Sequence, residues 1–191
     1  MTGTTRPSDV RTRILDAATR QFYADGVRAV SADRIIAAAE VSKVTFYRHF
    51  RSKDDLVVAY LEAWATRERD ALDGLRASHP DDAATTLREI AGFAGEMVCR
   101  PDFRGCAFIN AAAEYPDAEH PVRRVVAAHR AWWVETLASL VRELGVDDPP
   151  AAAEELMMLR DGAMVAGYVG EGAGLAERVT RVGTAIVRAH R

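Results

Sequence analysis

The stretch Val30-Ser31-Ala32-Asp33-Arg34-Ile35-Ile36-Ala37-Ala38-Ala39-Glu40-Val41-Ser42-Lys43-Val44-Thr45-Phe46-Tyr47-Arg48-His49-Phe50 decides the reading of this chain. Ser31 can accept a hydrogen bond from an amide of the turn that follows it, and Ile35, Ile36 and Ala39 recur behind it at helical spacing. A short helix is expected there. Glu40 to Ser42 breaks it, and a further short helix is expected over Lys43 to His49. Ahead of both, Asp9 can cap a helix carrying Val10, Ile14, Ala18 and Phe22 on one stripe, which Asp25-Gly26 ends. Two short helices joined by a three-residue turn, with a third before them to complete a small core, have the layout of a helix-turn-helix.

At about 100° per residue, Phe46 and Phe50 share one side of the Lys43 to His49 helix, Val44 and Arg48 lie opposite, and Thr45 and Tyr47 flank them. The aromatic side packs and the other faces out. An outward Val-Thr-Tyr-Arg surface suits a major groove. Arg48 can donate two hydrogen bonds to guanine O6 and N7, Val44 and the Thr45 methyl can touch thymine methyls, and Tyr47 can reach phosphate. Lys43, His49 and Lys53 flank this face near helix ends, and the hydroxyls of Ser31 and Thr12 can add contacts.

Charge supports the same division. The whole chain of 191 residues has a formal net charge of -3, yet residues 1–53 carry ten Lys or Arg against five Asp or Glu, while residues 54–191 are acidic overall. A basic head on an acidic body is the asymmetry expected when one part approaches a polyanion. The mean hydropathy of -0.13 is that of an ordinary globular chain, and no apolar run approaches the roughly 18 residues of a membrane span. Met1 to Ser8 are polar and lack an apolar leader core, so a cytoplasmic protein without membrane attachment is expected. Cys99 and Cys106 lack Cys-x-x-Cys spacing and read as reduced thiols rather than a disulfide framework.

The remainder also reads as helix. Thirty-five alanines, apolar spacing near 3.6 and the lack of alternating β-branched runs leave no strand. Ser52 caps a helix from Lys53 to about Arg76, and Pro80-Asp81-Asp82 opens one reaching about Cys99. Others are expected from about Gly105 to Tyr115, from Pro121 to Leu144, from Pro149-Pro150 to about Val169, and from Leu175 to Ala189. The fold class is therefore all-α with about nine helices: a DNA-binding head over 9–53 and a helical body over 54–191.

Val41-Ser42-Lys43-Val44-Thr45-Phe46-Tyr47-Arg48-His49-Phe50-Arg51-Ser52-Lys53-Asp54-Asp55-Leu56, preceded by Arg13-Ile14-Leu15-Asp16-Ala17-Ala18, Phe22 and Gly26, resembles the N-terminal domain of the TetR family of bacterial transcriptional regulators over about residues 9–60. The resemblance implies a homodimer that presents two recognition helices to a pseudo-palindromic double-stranded operator. It also implies a helical C-terminal domain where a small-molecule effector relieves repression. It places Thr45, Tyr47, His49 and Lys53 among the DNA contacts, with Ser31, Ser42 and Lys43 as helpers. Val44 departs from the small residue often found there, and Arg48 is a variable family position, so its guanine contact rests on geometry alone.

In the body, Leu175, Val179, Val182 and Ile186 form a helical stripe near the chain end, and Gly162, Ala163, Ala166 and Gly167 permit close approach of another helix. These suggest a partner surface, and the resemblance implies a symmetric four-helix interface. Trp64, Phe93, Met97, Phe103, Phe108, Asn110, Trp132, Trp133, Met158 and Tyr168 are the candidate effector-cavity residues. Cys106, Asn110 and Ala113 fall along one face of the helix opening at about Gly105, so a thiol and an amide are expected to project together into the cavity. The Gly-Cys opening resembles a subset of TetR-type regulators, some of which sense electrophiles or oxidants, so a thiol-based repressor using Cys106 is an alternative beside a buried, inert cysteine.

No enzyme is expected. His49, His79, His120, His129 and His190 are scattered without His-Glu-x-x-His spacing, there is no Gly-x-Ser-x-Gly or phosphate-cradling loop, and Glu114 with His120 or His129 is the best available pair. Neither a cofactor nor a metal is implied. A helical binding module that does not touch DNA is the remaining alternative.

Overall fold

The computed structural model describes residues 7–170 and 172–191; the reading of Met1 to Ser8 as a polar, leaderless start falls outside the described side chains. Among the described residues there are nine helices and no strand: α1 (Pro7–Asp25), α2 (Ala32–Ala38), α3 (Lys43–His49), α4 (Lys53–Ser78), α5 (Ala83–Val98), α6 (Ala107–Glu114), α7 (Pro121–Glu143), α8 (Pro149–Tyr168) and α9 (Leu175–Ala189).

Short side chains set the helix starts. Ser31, Ser42 and Ser52 accept the amides of Arg34, Thr45 and Asp55 at 3.2, 3.1 and 3.0 Å. Asp82 and Asp148 do the same for Thr85 and Ala151 at 2.9 and 3.2 Å. Each satisfies an amide that the first turn leaves without a helical partner. Two starts differ from the sequence reading. α1 begins at Pro7 rather than after Asp9, because proline suits a first turn, where its missing N–H costs nothing. α6 begins at Ala107, because Gly105 has φ +84, outside the helical region, which leaves Cys106 ahead of the helix.

The chain forms two compact units: residues up to 66 together with 107–126, and 67–106 together with 127–191. The sequence division after Lys53 runs along the chain, whereas the first half of α4 and all of α6 lie with the helix-turn-helix. In this first unit Ile14, Ala18, Phe22, Val30, Ile35, Phe46 and Phe50 of the head are buried, as are Leu56, Val57, Tyr60 and Leu61 of α4. The Phe22 and Tyr60 rings meet edge to face at 5.6 Å, a favoured aromatic geometry.

In the second unit, α9 lies against α5 and α8, and α5 against α8. Trp133, Leu137 and Ala138 of α7 pack with Ala153 and Met157 of α8, and Leu87 and Ile90 of α5 close over them. Close approach is bought with missing methyls. A Cβ on Gly95 would lie 2.3 Å from the Ala176 Cβ, and one on Gly167 2.4 Å from the Val98 Cβ.

Candidate nucleic-acid interface

α3 has two chemically opposed sides. Phe46 and Phe50 are buried, while Val44 is 80% and Tyr47 42% exposed, and Arg48 also faces out. The Tyr47 ring stands at 83° against Phe46, with centroids 5.1 Å apart, so its position is held from below. Thr45 is half-buried, and its hydroxyl lies 2.8 Å from the Ser42 hydroxyl, which also receives the Thr45 amide. The start of the helix is thereby stiffened.

The cations around this face are loosely committed. Lys43 Nζ is 3.2 Å from Asp33 Oδ1 with both side chains mostly exposed, a pair that contributes little in water and can exchange for phosphate. Arg34, which the sequence reading passed over, pairs with Asp25 at 2.6 Å. Thr12, Ser31, Ser42 and Arg48 are exposed, and His49 and Lys53 half-buried. The predicted contacts therefore lie exposed or half-buried on α1, on the α2–α3 pair and, for Lys53, at the start of α4, although the hydroxyls of Ser31 and Ser42 are occupied as caps.

A residue the sequence reading assigned elsewhere supports this site from below. Glu114, the last residue of α6, accepts the Val27 amide on Oε1 at 2.9 Å and the Arg28 amide on Oε2 at 2.5 Å. Next to it, the Tyr115 hydroxyl donates to Asp54 Oδ1 at 2.8 Å, and His120 Nε2 lies 3.4 Å from Asp54 Oδ2. Burial, this hydrogen bond and the Asp54 charge push the Tyr115 phenol up. Sequence offered no signal for these contacts, since Glu114 is 87 residues from Val27.

The body residues divide. Trp64, Phe108 and Asn110 belong to the first unit, whereas Phe93, Met97, Phe103, Cys106, Trp132, Trp133, Met158 and Tyr168 belong to the second. Cys106 and Trp133 are buried there, and Met97, Phe103 and Trp132 half-buried. The inward placement expected of three residues does not hold. Phe93 and Met158 are 63% and 62% exposed, because α5 buries its Gly95 and Val98 side and α8 its Met157 side. Tyr168 is held outward under the Arg104 guanidinium, 5.2 Å from its ring. Cys106 does not share a helical face with Asn110, because α6 starts after it.

The expected partner surface is also redrawn. Ala163 and Leu175 are buried within the chain, Gly167 seats Val98, and Ala166, Val179 and Ile186 are half-buried, with Ile186 packed on the core around Val141. α9 lies against α5 and α8, and only part of its stripe is buried there. What stays outside is Gly162, which has nothing within 4 Å of its Cβ position, together with Met158 and Val165 of α8, Val169 just after it and Val182 of α9.

A polar cluster lies among the helices of the second unit. Glu68 Oε2 receives Trp133 Nε1 at 2.7 Å and faces His129 Nε2 at 3.0 Å and Arg160 at 3.5 Å. Burial alone would raise the Glu68 carboxyl; the His129 hydrogen bond, the Arg160 charge and Trp133 outweigh it and hold the group below its ordinary value of 4.5. The pair of Glu114 with His120 or His129 does not form, since Glu114 binds amides, His120 faces Asp54 and His129 faces Glu68. Among the described residues no group of three or more His, Cys, Asp or Glu is placed to hold a metal ion, and no helix is long and apolar enough to cross a membrane.

Comparison with known proteins agrees with this geometry. The family described as "Bacterial regulatory proteins, tetR family" matches residues 14–60, and "Tetracyclin repressor-like, C-terminal domain" matches residues 83–190. The transcriptional regulator AcuR of Cereibacter sphaeroides is 31% identical over 148 residues, 73% of this chain and 68% of that protein. The crystal structure of a TetR-family regulator from Streptomyces coelicolor superposes with a TM-score of 0.89 at 42% identity over 96% of both chains. A second structure, described as that of a putative regulator from Streptomyces avermitilis, gives 0.85 at 26% identity over 97% of this chain and 98% of that one. A chain whose described residues form only helices, with a capped helix-turn-helix at its head and both family models matched, is thus a transcriptional regulator, and it belongs to the TetR family.

Proposed function

We propose that this regulator is a cytoplasmic repressor that reads a two-half-site operator as a homodimer and leaves it when a small effector binds the body. The observation that carries the reading is the division of α3, with Phe46 and Phe50 buried and Val44, Tyr47 and Arg48 outward. Arg48 reads guanine, Val44 and Thr45 meet thymine methyls, and Tyr47, Lys43, Lys53, His49, Ser31, Ser42 and Thr12 hold the backbone. The apolar surface left by Met158, Val165, Val169 and Val182 supports a second copy seated on α8 and α9. Two heads so joined would meet major grooves about 34–36 Å apart, or at a related spacing. The effector acts by favouring a dimer shape in which that spacing is lost. Met97, Phe103, Trp132 and Trp133 offer it apolar contact. Cys106 is buried and serves as a small hydrophobe, which favours a reversible ligand over thiol chemistry.

The test is selection of bound sequences from random duplex DNA by the purified protein, with Tyr47→Ala alongside. A palindromic motif recovered by the parent and lost by the variant is expected, with affinity falling steeply as salt rises. No enrichment by the parent at low salt would overturn the reading and favour a helical module that does not bind DNA.

A further inference from the structure

The chain enters the α2–α3 pair through residues 26–31 and leaves it through residues 50–54, and one short segment grips both ends. At the entrance, the Glu114 carboxylate takes the Val27 and Arg28 amides, one on each oxygen. At the exit, Tyr115 and His120 hold the two oxygens of Asp54 in the first turn of α4, and Arg123 Nη1 donates to the Tyr115 carbonyl at 2.9 Å. All of these residues lie in the first compact unit.

Glu114 is electrostatically out of place as the last residue of α6, where a helix dipole disfavours negative charge. The two amides supply the compensating positive ends. Gly26 is shaped to the same contact: its φ is +87, and a Cβ there would stand 3.2 Å from Glu114 Oε1. Val27 and Val30 beyond the clasp are buried, and Ser31 then caps α2. A fixed carboxylate thus sets the turn, the turn sets α2, and α2 packs on α3.

We infer that Glu114 is a positioning residue for DNA reading: from the end of α6 it fixes the turn that aims the recognition helix, and the Glu114–Arg123 segment brackets the helix pair. The inference rests on the DNA-reading function proposed above. It makes a prediction opposite in sign to that of charge alone. Removing a carboxylate beside a DNA-facing head should strengthen non-specific, salt-dependent binding. Loss of positioning weakens specific binding.

The experiment compares the parent with Glu114→Ala, Glu114→Gln and the control Glu119→Ala, using the duplex enriched by the parent and a scrambled duplex of equal length. Amide exchange at Val27 and Arg28 is followed in the same full-length proteins. Expected for Glu114→Ala is a loss of at least about tenfold in specific affinity, equivalent to about 1.4 kcal/mol. Scrambled-duplex binding is unchanged or tighter, and the two amides exchange faster. Glu114→Gln, which keeps one acceptor oxygen, falls between, and Glu119→Ala matches the parent. Specific affinity of Glu114→Ala and Glu114→Gln within about twofold of the parent would overturn the inference, as would equal losses on both duplexes. If the parent enriches no duplex, the DNA reading fails first, and the role of Glu114 in it falls with that reading whatever the exchange at Val27 and Arg28 shows.

Discussion

Substituting Gly167 and Gly162 by alanine separates packing within the chain from the surface left for a partner. Both glycines lie in α8, so both substitutions gain about 1 kcal/mol of helix propensity. At Gly167 the new methyl would fall 2.4 Å from Val98 Cβ and 2.7 Å from Val98 Cγ1, with Phe103 Cε1 at 3.2 Å. Carbon atoms rest at about 3.5 Å or more, so the helices must part by about 1 Å. Val98 Cβ is tied to its backbone, and no rotamer change removes that clash. Overpacking of this kind costs up to about 3 kcal/mol. The net effect of Gly167→Ala is a loss of about 2 kcal/mol, or about 4–8 °C in Tm for a chain of this length. Gly162 has nothing within 4 Å, so Gly162→Ala should stabilise the protomer by about 1 kcal/mol. Urea unfolding at a protein concentration low enough to keep the chain monomeric measures both, since association would otherwise add to the apparent stability. Sedimentation velocity at higher concentration then tests the proposed dimer, which Gly162→Ala should weaken and Gly167→Ala, whose methyl points at Val98 of the same chain, should not affect directly. A Gly167→Ala protein as stable as the parent would refute the packing argument.

Three further outcomes are expected. Glu40 has φ +53 in the α2–α3 turn, so Glu40→Gly should relieve about 1 kcal/mol of left-handed strain and raise Tm by about 2–4 °C in a thermal melt. Because Glu68 is held below 4.5 in the folded chain, its stabilising contribution is fully present above that pH and fades as pH falls through the lowered value. Glu68→Gln should cost about 2 kcal/mol at neutral pH, the loss of charge-assisted hydrogen bonds at a partly exposed carboxylate, and flatten the acid limb of stability measured by urea titration from pH 7 to 3. Iodoacetamide should label the exposed Cys99 in the native protein and Cys106 only after unfolding, read by peptide mass mapping; equal native rates would refute the placement of Cys106.

What was legible in the sequence was local. A serine cap and the amide it binds are three residues apart, so Ser31 and Ser52 could be read directly, whereas Ser42 was read only as the end of a break; the period of the helix put Phe46 and Phe50 opposite Val44 and Arg48. Partners distant in sequence were not legible. The α9 stripe announces that something covers it, but a stripe carries no address: Leu175 is buried within the chain, where α9 lies against α5 and α8, while Val182 stays exposed. Gly167 likewise signals a close neighbour without naming Val98. Phe93 and Met158 looked inward by composition, yet single exposed apolar residues are ordinary on protein surfaces. Glu114 gave no signal because a carboxylate at the end of a helix has meaning only once the turn at Gly26 is beside it.

α3 is only seven residues long. A helix of that length does not hold itself in water, so it exists because Phe46 and Phe50 anchor it. The recognition surface therefore cannot be moved to another scaffold as a peptide, but it can be rewritten where it stands. Val44 and Arg48 touch little of the core, and exposed substitutions of this kind usually change stability by no more than about 0.5 kcal/mol. The fold accordingly offers little resistance to a change of operator, and the descendants of a duplicated copy could diverge in the promoters they read while keeping the same folded scaffold.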